Sequence, residues 1–318
     1  LIPWGLKTGN LTLKPNSVVH SILYDEDQKK AIGVRVIDSN SKVSQDYFAK
    51  VVFVSASTLN TNLILLNSKS KRFPNGLGND NGLLGKFIAF HNYRATINAE
   101  FEGFPQYTTE GAKPTSHYIP RFRNVYRQET DFLRGYAAGF GAQPNRETNK
   151  EGFGAELSNQ LLSTKETGVW NVNSHMMGET IPKESNLVSL DQEKTDAWGI
   201  PLLNIDVDYD GNDEKMIQDF YEQFSEMYEK SGFVNIKTND NGRRPGNDIH
   251  EMGGVRMGKN PKTSLLNAWN QMHECKNVFV TDGACMTSTS TQNPSLTFMA
   301  ISARAANYAI QQMKKGLI

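Results

Sequence analysis

The segment QNPSLTFMAISARAANYAI, residues 292–310, constrains the fold of this chain more than any other part of it. Its apolar side chains surround the helix axis on nearly every side, and only Arg304 interrupts them before Lys314. A helix that is apolar all round is buried between layers of a protein. Pro294 suits the first helical position, and Gly316 suits the C-terminal end. The segment therefore predicts a final helix that is covered on both sides.

The N-terminus of this helix is predicted to be buried as well. The first N–H groups of a helix have no partner within it, and the peptide dipoles place about half a positive charge there. Such an end favours an anion or an electron-rich acceptor beside it. The preceding strand, NVFVTDG, places Asp282 and Gly283 at its carboxyl end, where α/β sheets bind ligands. The hydroxyl groups of residues 287–291 either bind a polar ligand or form turns.

A second strand pattern lies near the start of the chain. Residues 51–54 form a compact apolar run, which leads into the small residues Ser55 and Ala56 and then into the helical pattern TLNTNLILLNS. This order is typical of nucleotide-binding α/β domains, although any α/β crossover shows it. From about residue 91 to 210, short strand-like runs alternate with turn residues and indicate an antiparallel sheet. The chain is therefore predicted to have a mixed α/β (α+β) fold, with an antiparallel sheet inserted into a discontinuous α/β domain.

The clearest exposed helix is predicted between Asn212 and Gly232. Asn212 is a suitable N-cap and Gly232 a suitable stop. The apolar residues of the segment fall on one stripe, as in a helix that covers a core: Met216, Ile217, Phe220, Phe224, Met227 and Tyr228.

Charge and cysteine usage exclude several classes of function. Lys plus Arg and Asp plus Glu number 34 each, so no electrostatic footprint for a nucleic acid or an anionic membrane is present. Cys275 and Cys285 fit neither a zinc ligand set nor a disulfide framework, and we expect packed thiols and no metal site. No apolar run approaches the ~18 residues that a membrane span needs.

Two polar residues are candidates for chemistry. His250 opens the segment HEMGGVRMG, in which Gly253 and Gly254 permit a close approach of the backbone. A histidine beside a ligand cavity can accept a proton near neutral pH, although a lone histidine is more often structural. Asn293 could bind a substrate or could cap the final helix. The spacing of these residues alone leaves both alternatives open.

Taken together, HEMGGVRMG, VFVTDG and NPSLTFMAISARAA resemble the C-terminal signature of the glucose–methanol–choline (GMC) oxidoreductases, which are flavoenzymes that oxidise alcohols. Upstream, GNLTLKPNSVVHSILYD is similar to the family's strand pair beside the flavin adenine, and VVFVSASTLNTNLILLNS is similar to its strand, small-residue turn and helix. HEMGGVRMG and FPNGLGNDNGLLG look most similar to the bacterial branch with glucoside 3-dehydrogenases and gluconate dehydrogenase large subunits.

The resemblance implies a particular domain organisation. Residues 1–90 and 250–318 would belong to a Rossmann-like FAD-binding domain, and residues 91–249 would form an inserted substrate-binding domain. The GxGxxG unit that cradles the pyrophosphate of FAD in the family is absent from this chain. The family pattern therefore predicts a further N-terminal portion of ~200 residues, which is either missing or supplied by another chain.

The resemblance also implies a reaction, in which a hydride moves from a sugar or glycoside CH–OH carbon to flavin N5 and leaves a ketone. His250 would be the base and Asn293 the second polar group on the substrate hydroxyl. The first helical turn, with Pro294, Ser295 and Thr297, would stabilise the reduced flavin. A dehydrogenase that passes electrons to a cytochrome or a quinone is favoured over an oxidase. A periplasmic location is suspected for such an enzyme, and a small subunit is a possible partner.

The remaining cofactor contacts that the resemblance implies fall into two groups. Asp282 and Gly283 would lie near the ribityl and pyrophosphate part of FAD. Val19, through its backbone, and Ser55 and Ala56 would meet the adenosine end.

Two alternatives belong to other classes of protein. The chain could be a carbohydrate-binding or scaffold piece that is inactive alone, although aromatic residues in a sheet more often form a core. The aromatic residues that could stack on sugar rings are Tyr107, Tyr118, Trp170 and Trp198. A serine hydrolase that uses the TSTST loop with His250 is disfavoured, because the sequence has no GxSxG elbow.

Overall fold

The computed structural model describes residues 1–104, 117–144, 151–163, 168–242, 244–245 and 249–318. Within these ranges none of the helices is both long and apolar enough to cross a membrane. A single 3₁₀ turn covers Gly283–Cys285, and the α-helices are α1 (Ile2–Lys7), α2 (Thr58–Asn67), α3 (Gly154–Ser163), α4 (Gly211–Lys230) and α5 (Ser295–Lys314).

The strands of the described residues are β1 (Ser17–Asp25), β2 (Lys30–Asp38), β3 (Ser44–Phe48), β4 (Val52–Val54), β5 (Lys86–Ala89), β6 (His91–Asn92), β7 (Ala95–Phe101), β8 (His117–Ile119), β9 (Tyr136–Pro144), β10 (Trp170–Glu179), β11 (Leu187–Thr195), β12 (Pro201–Asp206), β13 (Val234–Asp240), β14 (Met252–Gly254) and β15 (Val278–Val280). They form sheets with the orders β1-β2-β3, β13-β7-β10-β9-β8, β12-β11-β5-β14 and β15-β4, and β6 adds to β10. The β4–β15 pair is parallel, whereas the pairs of the other sheets are antiparallel. The predicted mixed α/β fold with an antiparallel sheet is therefore confirmed.

The parallel pair brings the two ends of the chain together. Val52 of β4 lies opposite Val278 of β15, and Val54 lies opposite Val280. All four valines are buried, as parallel strands that are covered on both faces usually are. The helix α2 follows β4 after three residues, so the predicted order of strand, short turn and helix is present.

Hydrogen bonds of the Asn277 side chain join the β1-β2-β3 sheet to this parallel pair. Its side-chain oxygen accepts a hydrogen bond from the backbone N–H of Ala31 at 3.1 Å. Its side-chain nitrogen donates to the carbonyl oxygens of Ala31 at 2.7 Å and Lys50 at 2.8 Å. Since Asn277 and Ala31 are both buried, water is not available as a substitute partner for the Ala31 groups.

The helix α4 covers the large antiparallel sheet with its predicted stripe, in which the buried residues are Met216, Ile217, Phe220, Phe224 and Tyr228. Gly232 follows the helix with φ +80°, as a C-terminal stop requires. The predicted N-cap was wrong: Asp210 caps the helix and forms a capping box with Asp213. Asn212 instead exchanges two hydrogen bonds with the backbone of Leu133.

The β12-β11-β5-β14 sheet takes strands from all three segments of the predicted domain division. β5 lies in residues 1–90, β11 and β12 lie in residues 91–249, and β14 lies in residues 250–318. The inserted segment is thus joined to the first and last segments by backbone pairing. The three-part division itself stays a prediction.

The final helix α5 forms, but it is covered on one side only. Ala305 and Ala309 are buried against Phe279 of β15. Leu296 is 77% exposed and Met299 is 55% exposed. The prediction of a helix covered on both sides is therefore wrong for the described residues, because the β4–β15 sheet and the loop of Trp269 and Asn270 leave part of α5 exposed.

Replacement of Asn277 tests how much this buried amide contributes to stability. We expect Asn277→Ala to lower the free energy of unfolding by about 2–4 kcal/mol, because it removes the hydrogen-bond partner of both backbone groups of the buried Ala31 and also removes side-chain volume. Urea denaturation of the full-length protein measures this change. Asn40→Ala, in an exposed turn, is the matched control and should change stability by less than about 0.5 kcal/mol. An equal effect of both variants would contradict the prediction.

Candidate active site

His250 is held in an unusual backbone conformation at the start of β14. Its φ is +69°, in the left-handed region that few residues other than glycine adopt and that is often found at functional sites. The carbonyl of the next residue, Glu251, accepts a hydrogen bond from the Thr58 hydroxyl of α2 at 2.5 Å. Gly253 lies so close to the Phe87 carbonyl oxygen that a Cβ atom would be 2.1 Å from it. The predicted close approach of the backbone is therefore present, and it fixes the position of His250.

His91, which the sequence analysis did not identify, is the direct partner of His250. The two Nδ1 atoms are 3.0 Å apart, and the rings are nearly perpendicular, with centroids 5.0 Å apart. The Nε2 atom of His91 is 3.1 Å from the carbonyl oxygen of Thr289. His91 is fully buried in β6. In the sequence this histidine only opens the first of the short strand-like runs that begin at about residue 91.

Burial disfavours the protonated, positively charged form of both histidines. It lowers the pKa of His91 to about 4, although the hydrogen bond to Thr289 partly opposes this effect. Burial also lowers the pKa of His250 below its usual value. Both rings are therefore neutral at pH 7, and His250, which is only partly buried, can accept a proton.

The histidine pair is linked to the segment that leads into α5 through Thr289. Asn293, four residues further on, is exposed, and no side-chain hydrogen bond to it occurs among the described residues. The N-cap of α5 is Pro294, so the interpretation of Asn293 as the cap is wrong. Pro294 is buried just before the first helical turn, one position earlier than predicted. Ser295 and Thr297 are exposed, so the predicted burial of this helix end is also wrong.

The loop of residues 287–291 before α5, here called the hydroxyl loop, makes hydrogen bonds to other parts of the chain. The Ser288 hydroxyl donates to the buried carboxylate of Glu179. The carboxylate also lies 3.6 Å from Arg121 and 3.9 Å from Arg134. The carbonyl of Thr291 accepts a hydrogen bond from Tyr118 at 3.0 Å. These contacts favour a structural role for the loop and oppose a hydrolase in which its hydroxyls attack with the help of His250.

Asp282 lies at the carboxyl end of β15, beside the turn after β4. Its carboxylate accepts hydrogen bonds from the Thr61 hydroxyl at 2.5 Å and from the Ala284 N–H at 2.9 Å. The same Thr61 hydroxyl oxygen accepts from the Ala56 N–H at 3.1 Å. Burial raises the pKa of Asp282, and these donors oppose the change. The structure thus brings Asp282 and Ala56 together, as expected for the ends of adjacent parallel strands.

An open, mainly apolar cleft adjoins these strand ends. Val19, Ser55 and Ala56 line it together with Val54 of β4 and residues of the β1-β2-β3 sheet. The Ser55 hydroxyl lies 2.8 Å from that of Thr281, which precedes Asp282. A cleft with apolar walls and the Ser55 hydroxyl in its lining fits a flat ring joined to a polar group. The residues predicted for the adenosine end therefore share one cleft.

Gly283 allows three segments to meet. A Cβ atom at this position would lie 2.2 Å from the Thr58 hydroxyl oxygen and 2.6 Å from the Glu251 carbonyl oxygen. The Phe298 ring of α5 would be 3.5 Å away. Since Glu251 adjoins His250, this glycine couples the strand end of Asp282 to the histidine site.

The aromatic residues considered for sugar stacking lie in different places. Trp170 donates to the Phe104 carbonyl at 3.2 Å, and Trp198 donates to the Ser39 carbonyl at 3.2 Å. Only Tyr118 contacts the hydroxyl loop. Tyr107 lies outside the described residues.

The cysteines and possible metal ligands add no further site. Cys275 and Cys285 are buried free thiols, as predicted. Burial raises their pKa values to about 11 and about 12. In the part of the chain that the structure describes, no group of three or more His, Cys, Asp or Glu residues could hold a metal ion.

The fold is similar to those of solved FAD-dependent oxidoreductases. The formate oxidase of Aspergillus oryzae aligns with 98% of this chain and 62% of its own, at a TM-score of 0.65 and 12% identity. Residues 182–302 match the family model described as GMC oxidoreductase. The resemblance to the GMC oxidoreductases that the motifs indicated is thus confirmed over residues 182–302, and FAD is the cofactor of that family.

Named relatives include both dehydrogenases and oxidases. The 2-methyl-1,2-propanediol dehydrogenase of Mycolicibacterium austroafricanum is 33% identical over 88% of this chain and 51% of its own length. The fructose dehydrogenase large subunit of Gluconobacter japonicus is 26% identical over 95% and 54%. The gluconate 2-dehydrogenase flavoprotein of Pantoea cypripedii is 24% identical over 84% and 45%, and the paromamine 6'-oxidase of Streptomyces fradiae is 25% identical over 93% and 52%. The chain thus spans about half the length of the curated relatives it matches.

Replacement of Gly283 tests whether the three segments must meet this closely. We expect Gly283→Ala to lower the free energy of unfolding by about 1–3 kcal/mol, because the new methyl group overlaps a backbone carbonyl and a buried hydroxyl. Urea denaturation of the full-length protein measures the change. Gly211→Ala, at the open first position of α4, is the control and should be neutral or stabilise by up to about 1 kcal/mol. A Gly283→Ala variant as stable as this control would show that the site can relax.

Proposed function

We propose that the protein containing this chain is an FAD-dependent oxidoreductase that oxidises a CH–OH group of a sugar or glycoside to a ketone. The carrying observation is the placement of His250, which is neutral, strained and fixed beside the segment that leads into α5. The match of residues 182–302 to the GMC oxidoreductases and the relatives named for a diol, fructose, gluconate and paromamine support an alcohol as substrate.

The residues of this chain would hold the cofactor and the substrate in separate regions. Val19, Ser55 and Ala56 would bind the adenosine end of FAD in the apolar cleft, and the strand end of Asp282 and Gly283 would meet its middle part. Bound FAD supplies a hydride acceptor for the substrate carbon.

On the substrate side, His250 would accept the hydroxyl proton as the O–H bond breaks and the carbonyl forms. Asn293, exposed and without a side-chain partner among the described residues, would orient the hydroxyl. The unpaired N–H groups of Ser295 and Thr297 would stabilise negative charge that develops beside the helix end.

A dehydrogenase is favoured over an oxidase as the physiological activity. Of five matching curated relatives, three are named as dehydrogenases and two as oxidases, and the two with the higher identities are dehydrogenases. One is the large subunit of a fructose dehydrogenase, which supports electron transfer to a partner such as a cytochrome or a quinone.

A binding or scaffold role for this chain alone is the second candidate. The exposed apolar side chains of α5 and the open two-stranded sheet favour a further polypeptide that covers them. This polypeptide would be an N-terminal portion of the same protein or a separate subunit. In that case the chain contributes His250 and the adenosine cleft, and catalysis needs the other part.

Replacement of His250 tests the proposed base. In the full-length protein loaded with FAD, we expect His250→Ala to slow reduction of the flavin by substrate by ~10²–10⁴, the loss typical for an acid–base group. Stopped-flow absorbance under anaerobic conditions measures the rate. His273→Ala, which removes a histidine hydrogen-bonded to Ser264 in another loop, is the control. A loss of less than about threefold would reject His250 as the base, and full-length protein that stays colourless with FAD would favour the scaffold role.

Reoxidation kinetics test the choice of dehydrogenase. After reduction by substrate, we expect a quinone or a cytochrome to reoxidise the flavin much faster than oxygen does, because the enzyme would pass its electrons to a carrier. Stopped-flow mixing of reduced protein with each acceptor at equal concentration gives the rates. Faster reoxidation by oxygen, with release of hydrogen peroxide, would identify an oxidase instead.

A further inference from the structure

The contact between His91 and Thr289 fixes the position of one proton. A backbone carbonyl oxygen can only accept a hydrogen bond. The Nε2 atom of His91, which lies 3.1 Å from the carbonyl oxygen of Thr289, must therefore carry the hydrogen. The opposite arrangement would direct the lone pair of Nε2 at the lone pairs of the carbonyl in a buried site, which is unfavourable.

The neutrality of His91 then fixes a second proton. A neutral imidazole carries only one N–H group, so the Nδ1 atom of His91 is an acceptor. Its partner at 3.0 Å is the Nδ1 atom of His250, which must donate. Because His250 is also neutral near pH 7, its Nε2 atom carries no hydrogen and has a free lone pair.

We propose that His91 is a positioning residue that holds His250 in the tautomer whose Nε2 atom is unprotonated. This inference rests on the proposed function, in which His250 is the base. When the substrate hydroxyl releases its proton, the O–H bond breaks and a new N–H bond forms at Nε2. The hydrogen bond from Nδ1 to His91 remains and becomes stronger, because its donor is now charged.

The ring of His91 is well suited to this role because its surroundings fix it. The preceding residue, Phe90, donates its N–H to the Thr180 hydroxyl at 3.1 Å and accepts a hydrogen bond from that hydroxyl at 2.6 Å. His91 itself pairs with Glu179 of β10 in the sheet. A rotation of the ring would break its contacts with both Thr289 and His250.

A neutral partner also suits a base better than a carboxylate would. A carboxylate beside Nδ1 would favour the charged form of His250 and raise its pKa, so the ring would be occupied by a proton before substrate arrives. The buried carboxylate near the pair belongs to Glu179, and Ser288, Arg121 and Arg134 engage it. Its charge is therefore balanced by groups other than the histidines.

The first test observes the tautomer directly and does not depend on activity. In full-length protein labelled with ¹⁵N-histidine, long-range ¹H–¹⁵N NMR spectra at pH 7.5 distinguish protonated from unprotonated ring nitrogens. We expect Nδ1 of His250 and Nε2 of His91 to be protonated and the other two nitrogens to be unprotonated. A protonated Nε2 on His250 would overturn the proposal.

The second test compares replacements of His91. His91→Phe keeps a ring of similar size but removes the acceptor, and we expect it to slow flavin reduction about 10- to 100-fold, less than loss of His250 itself. His91→Asn, whose side-chain oxygen can still accept from Nδ1, should recover part of the rate. His175→Phe is the control, since this histidine stacks on Tyr93 nearby without a hydrogen bond to His250.

The outcomes separate this inference from the proposed function. If His250→Ala has no effect on the rate, the function is wrong, and the NMR spectra of the unmodified protein still decide the tautomer. If His91→Phe does not fold, the same spectra together with the His91→Asn variant decide. A His91→Phe variant that folds and keeps both the rate and the His250 tautomer would overturn the proposal.

Discussion

The parallel pairing of β4 with β15 is the constraint on which the site depends. It joins segments from opposite ends of the chain and aligns their carboxyl ends, so that Thr61 can bond both Ala56 and Asp282. Because Gly283 follows without a side chain, the same turn approaches the Glu251 carbonyl closely. One short pair of strands therefore positions both the proposed cofactor cleft and the backbone beside the proposed base.

The left-handed backbone conformation of His250 is stable because contacts of the adjacent residues hold it in place. A non-glycine residue in this conformation costs of order 1–3 kcal/mol and persists only where surrounding contacts hold it. Here the Thr58 hydroxyl holds the next carbonyl, and Gly253 packs directly on the backbone of β5. The result is an imidazole with little freedom to reorient, as a base needs if each encounter with substrate is to be productive.

Local sequence patterns predicted the helices and strands. They did not predict which distant residues come into contact. Asp282 and Ala56 were assigned to different parts of FAD, and their proximity follows from the parallel pairing of β4 with β15, which no local pattern shows. His91 could not be identified either, because a single histidine after an apolar run has no local pattern and its partner lies in a distant segment. The cap of α4 was assigned to Asn212 for a similar reason: the competing bonds of Asn212 to Leu133 are invisible in the sequence.

The one-sided packing of α5 bears on the chemistry as well as on assembly. The charge at a helix N-terminus is screened by water, and its effect grows when the site is dry. In this chain Ser295, Leu296 and Thr297 are exposed, so water weakens the electrostatic effect of the N–H groups of the first turn. A polypeptide that covered the apolar side chains of α5 would exclude water from the same helix end. The same contact would then bury the apolar side chains of α5 and strengthen the stabilisation of a negative charge at its N-terminus.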